Sequence, residues 1–165
     1  MLLTHIAKVI LPVCMITPFA IPAYADQDED DVLAVADLAL ERITDEDFIG
    51  LTDLMVDTAT IHTGTHSDGE YRVQTRSYKE QREATTDADL VERGFEPTVM
   101  VSGPIAMVWY PYDLYSNGEW SHCGIDIFNL VRTNDGWRIA AMLWNMEQPP
   151  ACEPHPDGPP RSAED

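Results

Sequence analysis

The chain has 165 residues, with 29 Asp and Glu against 10 Lys and Arg, a formal charge of −19. That surplus of acid excludes a nucleic-acid binder or a protein held on an anionic membrane, where neutralised phosphates supply most of the affinity. It fits a solvated acidic surface in a salty or extracellular medium, and the length suffices for one domain around one core.

Residues 1–25, MLLTHIAKVILPVCMITPFAIPAYA, carry one cation at Lys8, then an apolar run, with small residues at Ala23 and Ala25. This is the pattern of a signal peptide with an A-x-A cleavage site. Pro12, Pro18 and Pro22 argue against a lasting membrane span. A lipoprotein leader with Cys14 lipidated is disfavoured by Val13, larger than the residue usual before such a cysteine. The expectation is a periplasmic or secreted protein, free of the membrane after cleavage. Residues 26–31, DQDEDD, lack the glycine and the spaced final glutamate of a calcium loop and read as a charged arm.

Val32, Val35, Ala36, Ala39, Leu40 and Ile43 recur at helical spacing and predict an amphipathic helix. Thr44 can cap a second helix, with Asp45, Glu46 and Asp47 in its first turn and Phe48, Leu51, Leu54 and Met55 on its apolar face. Residues 58–63 read as a strand, and an Asp68-Gly69 turn returns the chain through residues 71–75. Residues 77–93 are highly charged and partly helical, on a thin apolar stripe. A strand over 95–101 follows, and Gly103-Pro104 turns the chain. Residues 105–115, 120–132 and 137–146 then form long consecutive strands, joined at Asn117-Gly118 and Asn134-Asp135-Gly136. From Gln148 the Pro-rich sequence reads as a flexible tail. Helices first and a strand meander after predict an α+β domain over 26–147, its helices on one face of a strongly curved, mostly antiparallel sheet.

Alternation sorts the strand over 120–132 into two faces. His122, Gly124, Asp126, Phe128 and Leu130 share one; Cys123, Ile125, Ile127, Asn129 and Val131 share the other. Both are largely apolar, so one should line the interior and the other should pack on something else, most simply a second copy. At about 3.3 Å per residue, His122 and Asp126 lie roughly 13 Å apart, too far for a direct hydrogen bond but able to meet two ends of one ligand. A carboxyl among apolar neighbours would have a raised pKa, as a general base or a protonated donor requires. The alternative is that Asp126 bonds a backbone amide or a Tyr and only holds the fold.

Other chemistry is thin. His62 and His66 are four apart, but Gly64 and the following turn break the element and no third ligand has credible spacing, so no metal is expected. No cofactor motif, nucleophile elbow, phosphate loop or paired catalytic carboxylates can be seen. Cys123 faces away from His122, against a Cys–His nucleophile pair. Without Cys14, Cys123 and Cys152 remain, which in an oxidising compartment invites a disulfide; a buried free Cys123 is the alternative.

The segment GPIAMVWYPYDLYSNGEWSHCGIDIFNLVRTNDGWRIAAMLW, residues 103–144, resembles the nuclear transport factor 2-like superfamily, closest to its bacterial lumazine-binding-like branch. ERGFEPTVMVSG, residues 92–103, fits the strand entering that meander. The resemblance implies the cone-shaped, cystatin-like α+β fold of ketosteroid isomerases and SnoaL-type cyclases, often dimeric through the outer sheet face. It leaves two functions open, because the fold hosts both catalysts and binding modules. One is an exported module holding a small apolar ligand, with His62 pointing into the cone and Tyr110, Tyr112, Phe128 and Trp144 around the ligand. The other is a cofactor-independent isomerase, dehydratase or cyclase, with Asp126 or His122 moving the proton and a Tyr donating to the substrate oxygen. The lack of a close acid–base pair in the sequence favours the first.

Overall fold

A computed structural model describes residues 24–160, so the expected leader lies outside the described residues except for its last two positions. Helix α1 (Tyr24–Thr44) takes in the acidic stretch read as an arm. Acids are favourable in a helix's first turns, Gln27 donates to Asp31 at 2.9 Å, and Arg132 reaches across to Asp28. The buried stripe of α1 is Val32, Ala36, Ala39 and Leu40.

The second helix, α2 (Phe48–Asp53), is capped by Asp47 and not by Thr44: the Asp47 carboxylate accepts from Gly50 N at 2.8 Å. Glu46, at φ 57°, breaks the chain between the helices. That break frees the Thr44 hydroxyl, which donates to Glu92 O at 3.2 Å and accepts from Glu92 N at 2.9 Å.

Seven strands follow. They are β1 (Met55–Ser67), β2 (Glu70–Ser77), β3 (Leu90–Gly94), β4 (Thr98–Ser102), β5 (Ile105–Ser116), β6 (Glu119–Thr133) and β7 (Gly136–Met146), with a short helix α3 (Tyr78–Arg82) after β2. The sheet order is β2-β1-β7-β6-β5-β3, with β4 also paired to β5. All pairings are antiparallel except β1 with β7, so the first strand closes against the last instead of opening a simple meander. The Asp68-Gly69 and Asn117-Gly118 turns have positive φ at both residues, as tight hairpins demand.

The strand predicted over 95–101 is shorter and has a companion that the charged stretch concealed. β3 and β4 both pair with β5, one on each half of it, and the edge bends between them at Glu96, φ 48°. Pro111, the partner of Ile125 across β5 and β6, sits opposite this break, where Phe95 N donates to its carbonyl at 2.9 Å. One core, led by Leu51, Val108, Phe128, Leu130 and Ile139, fills the space between the helices and the concave face of the sheet.

The segment after β7 is fastened. Cys123 and Cys152 form a disulfide with Cα atoms 5.9 Å apart. His155 N donates to Asp113 Oδ2 at 3.0 Å, Arg93 Nη1 donates to Gly158 O at 2.8 Å, and the Phe95 and His155 rings meet edge to face. These bonds hold a stretch expected to be a flexible tail.

Candidate functional site

Between helices and sheet lies a cavity of about 310 Å³. Ile43, Phe48 and Leu51 come down from the helices, Ile61 from β1, Leu114 from β5, and Met142 and Trp144 from β7. Polar groups enter at few points: Glu92 from β3, His122 and Ser121 from β6, Ser116 at the end of β5, and Arg76 and Gln81 from β2 and α3.

Asp126 is 3% exposed and points inward on the same face of β6 as His122, as alternation predicts. Its Oδ2 has no hydrogen-bond donor among the described residues. Its neighbour is Glu92, from the strand the sequence hid. Burial raises the Asp126 pKa well above its ordinary value, and the Glu92 charge and a hydrogen bond between the two raise it further. Burial likewise lifts Glu92 to about 7, opposed by the hydrogen bond it receives from Asp126. Both carboxyls are therefore biased toward their protonated forms, Glu92 with a pKa of about 7. The two carboxyls come from residues 34 positions apart by number, on strands separated by β5, so the sequence does not display them as a pair. No cation is among the groups acting on either carboxyl.

His122 is buried against the cavity, its Nδ1 3.0 Å from the Ser121 hydroxyl, its ring edge-on to Tyr112 and stacked with Trp144 at 6.0 Å. Burial lowers its pKa, favouring the neutral imidazole. Neither tyrosine offers a free hydroxyl. Tyr110 donates to Asp37 at 2.7 Å, fastening β5 to α1, and Tyr112 donates to the Asn145 carbonyl at 2.9 Å. Both phenols are held protonated, burial being the largest cause. Gly94 is what admits the Tyr110 ring, since a Cβ there would lie 2.3 Å from it.

The residues predicted around a ligand thus separate. Trp144 lines the cavity; Phe128, fully buried, belongs to the core beside it; Tyr110 and Tyr112 serve the framework. His62 does not point into the cone. Met55, Ala59, Ile61 and Thr63 are the buried residues of β1, so His62 faces the opposite side, its ring nitrogens 3.0 Å from Thr75 Oγ1 and 3.1 Å from Thr60 Oγ1. Among the described residues no group of three or more His, Cys, Asp or Glu could hold a metal ion.

The architecture is the cystatin-like, nuclear transport factor 2-like fold: helices over a curved sheet, enclosing a cavity with acids inside. Solved structures share it. A proposed dehydratase of the NTF2-like family from Streptomyces avermitilis superposes with a TM-score of 0.59 at 16% identity, covering 75% of this chain and 99% of its own. An NTF2-like protein with a cystatin-like fold from Novosphingobium aromaticivorans gives 0.61 at 13%, covering 78% and 87%. The beta subunit of a proposed aromatic-ring-hydroxylating dioxygenase from the same organism gives 0.63 at 11%, covering 76% and 92%. At these identities the likeness concerns the fold. No family model matches the chain, and no curated protein matches it in sequence.

Proposed function

We propose that the cavity holds a small, largely apolar molecule whose hydroxyl group donates to the Glu92–Asp126 pair. The carrying observation is a carboxyl with an unpartnered oxygen, buried behind an apolar cavity and beside a second carboxyl in its wall. Leaving such a group unsatisfied is costly, so a bound hydroxyl donor would compensate what the fold does not. Titration with naphthol, followed by Trp fluorescence and carbon NMR of the side-chain carboxyls, tests this. Binding should move the Glu92 and Asp126 signals and weaken at least fivefold in Asp126→Asn; binding that leaves both signals in place would refute it.

The same pair supports a second reading, a cofactor-independent isomerase, dehydratase or cyclase. A Glu that titrates near 7 is matched to taking a proton at neutral pH, and a protonated Asp beside it can steady a developing oxyanion. His122, kept neutral, is the other candidate acid or base. Exchange of the methyl protons of acetonaphthone for solvent deuterium gives the readout. Catalysis predicts a rate about a hundredfold above that of Glu92→Gln; equal rates leave binding alone.

Export and self-association complete the proposal. The leader-like first 25 residues and the disulfide both suit a periplasmic or extracellular site. Among the described residues no helix is long and apolar enough to cross a membrane. On the convex face, Trp109 and Leu143 are 43% and 39% exposed beside Ile125 and Ile127, a patch suited to a second copy. Leu143→Lys should turn a dimer into a monomer in sedimentation; a wild-type monomer would end that part of the proposal.

A further inference from the structure

The acidic pair leaves one pole of the cavity unexplained. Arg76, an exposed residue near the end of β2, also lines it, beside the buried Gln81 of α3. In a chain where acids outnumber cations 29 to 10, a guanidinium without a carboxylate partner is unexpected. Arg42, Arg72, Lys79, Arg82, Arg93 and Arg132 each have one. Among the described residues Arg76 and Arg138 have none; Arg138 donates to the Trp137 carbonyl and is not among the residues lining the cavity, whereas Arg76 lines it and its Nη1 donates to the neutral Gln81 Oε1 at 3.2 Å. Glu80 feels its charge but is committed to Ser77, whose backbone N–H and hydroxyl it accepts at 2.8 and 2.7 Å. Gln81 is 5% exposed, so the amide that steadies the guanidinium is itself fixed by packing.

The cavity is therefore polarised along its length. Glu92 lines it from β3, at one end of the sheet order, with Asp126 buried behind; Arg76, held by an uncharged group, lines it from β2 at the other end. We infer that the ligand carries an anionic group, a carboxylate or sulfonate, at the end that meets Arg76, with its apolar body against Phe48, Leu90 and Trp144 and its neutral oxygen toward Glu92. This rests on the cavity-binding reading above and adds the class of ligand to it. The overall negative charge does not forbid an anion, because at ~0.15 M salt the Debye length is about 8 Å and the contact with Arg76 is direct. A guanidinium is suited to the task, since its planar fork can meet two oxygens at once.

Two dyes of one skeleton make the test: anilinonaphthalene sulfonate, and its uncharged parent phenylnaphthylamine, titrated by fluorescence against the full chain in ~0.15 M salt. Wild type should bind the sulfonate about tenfold more tightly than the parent, and Arg76→Gln should lose that factor while binding the parent unchanged. Arg76→Lys should keep part of the preference. Leu90→Trp, which narrows the cavity, should weaken both dyes. Arg76→Gln without effect on the sulfonate, or with equal loss for both dyes, overturns the anion pole. If wild type shows no preference but Leu90→Trp still weakens both dyes, the anion pole fails and the cavity reading stands. If Leu90→Trp changes neither dye, both fail together.

Discussion

Two neighbouring residues of β3 send opposite charges to opposite faces of the sheet, and each meets a buried aspartate. Outward, Arg93 grips Asp113 with two bonds, Nε to Oδ1 at 3.0 Å and Nη2 to Oδ2 at 2.6 Å, while His155 N–H adds a third. Inward, Glu92 meets Asp126, which has no cation and one oxygen without a donor. Asp113 is 0% exposed and Asp126 3%, so burial does not separate them. Partners do. The first carboxyl is consumed by architecture; the second is left with unspent hydrogen-bonding capacity at the edge of a cavity, which is the physical meaning of a site.

The comparison breaks most visibly on the outer side. Arg93→Ala strands a fully buried carboxylate and should cost about 3–5 kcal/mol in urea unfolding. Replacing both partners, Arg93→Met with Asp113→Leu, should recover most of that loss. If the single change costs under about 1 kcal/mol, the outer pair is not the anchor its geometry suggests.

The disulfide is next. Cys123→Ser with Cys152→Ser opens a loop of sequence separation 29 and should cost about 3 kcal/mol. Because Cys123 lies on the face opposite His122, naphthol affinity should stay within about twofold provided the chain remains folded. A large loss of affinity in folded protein would mean that the fastened tail shapes the cavity as well as the outer face.

A smaller effect tests the inner pair. Both carboxyls bind protons more tightly folded than unfolded, from ordinary values of 4.5 for Glu92 and 3.8 for Asp126. The stability this supplies is full below those values and is lost as pH rises, through about 7 for Glu92, with the same sign for Asp126. Glu92→Gln should therefore flatten the decline between pH 5 and 8 and leave the variant about 2 kcal/mol more stable than wild type at pH 8. That figure is discounted because Glu92 is only partly buried. Identical pH profiles would show that Glu92 ionises freely.

Much of this could be read in the sequence wherever period and turn chemistry agree. Asn117-Gly118 with the alternation on either side sets β5 and β6 in register, and so puts His122 and Asp126 inward and Cys123 outward. The disulfide was one of two open readings, because spacing alone does not decide whether residue 152 returns to residue 123. What stayed hidden was β3. LVERG sets two apolar residues before two charged ones and shows no strand alternation, yet Leu90 and Glu92 face the cavity and Arg93 faces Asp113. A charged residue in a short edge strand reads as solvent-exposed until the partner strand is known. For the same reason the tyrosines looked like ligand donors: only the fold shows that Asp37 and the Asn145 carbonyl already take their hydroxyls.

The gentlest test concerns how the hidden strand is held. β3 lies at the end of the sheet, so the backbone groups of Glu92 that face away from β5 have no strand to bond. One hydroxyl serves both: Thr44, at the end of α1, accepts from Glu92 N and donates to Glu92 O. Thr44→Val keeps the shape and removes the bonds, so it should cost about 1 kcal/mol, while Thr44→Ser should cost less than half of that. Stability alone would not separate this from any lost hydrogen bond. Hydrogen exchange would: the Glu92 amide should exchange about tenfold faster in the valine variant while the β6 and β7 amides keep their protection. A uniform rise across the sheet would mean that Thr44 supports the core in general, and that the position of the inner carboxyl is fixed by β5 without help from the helix.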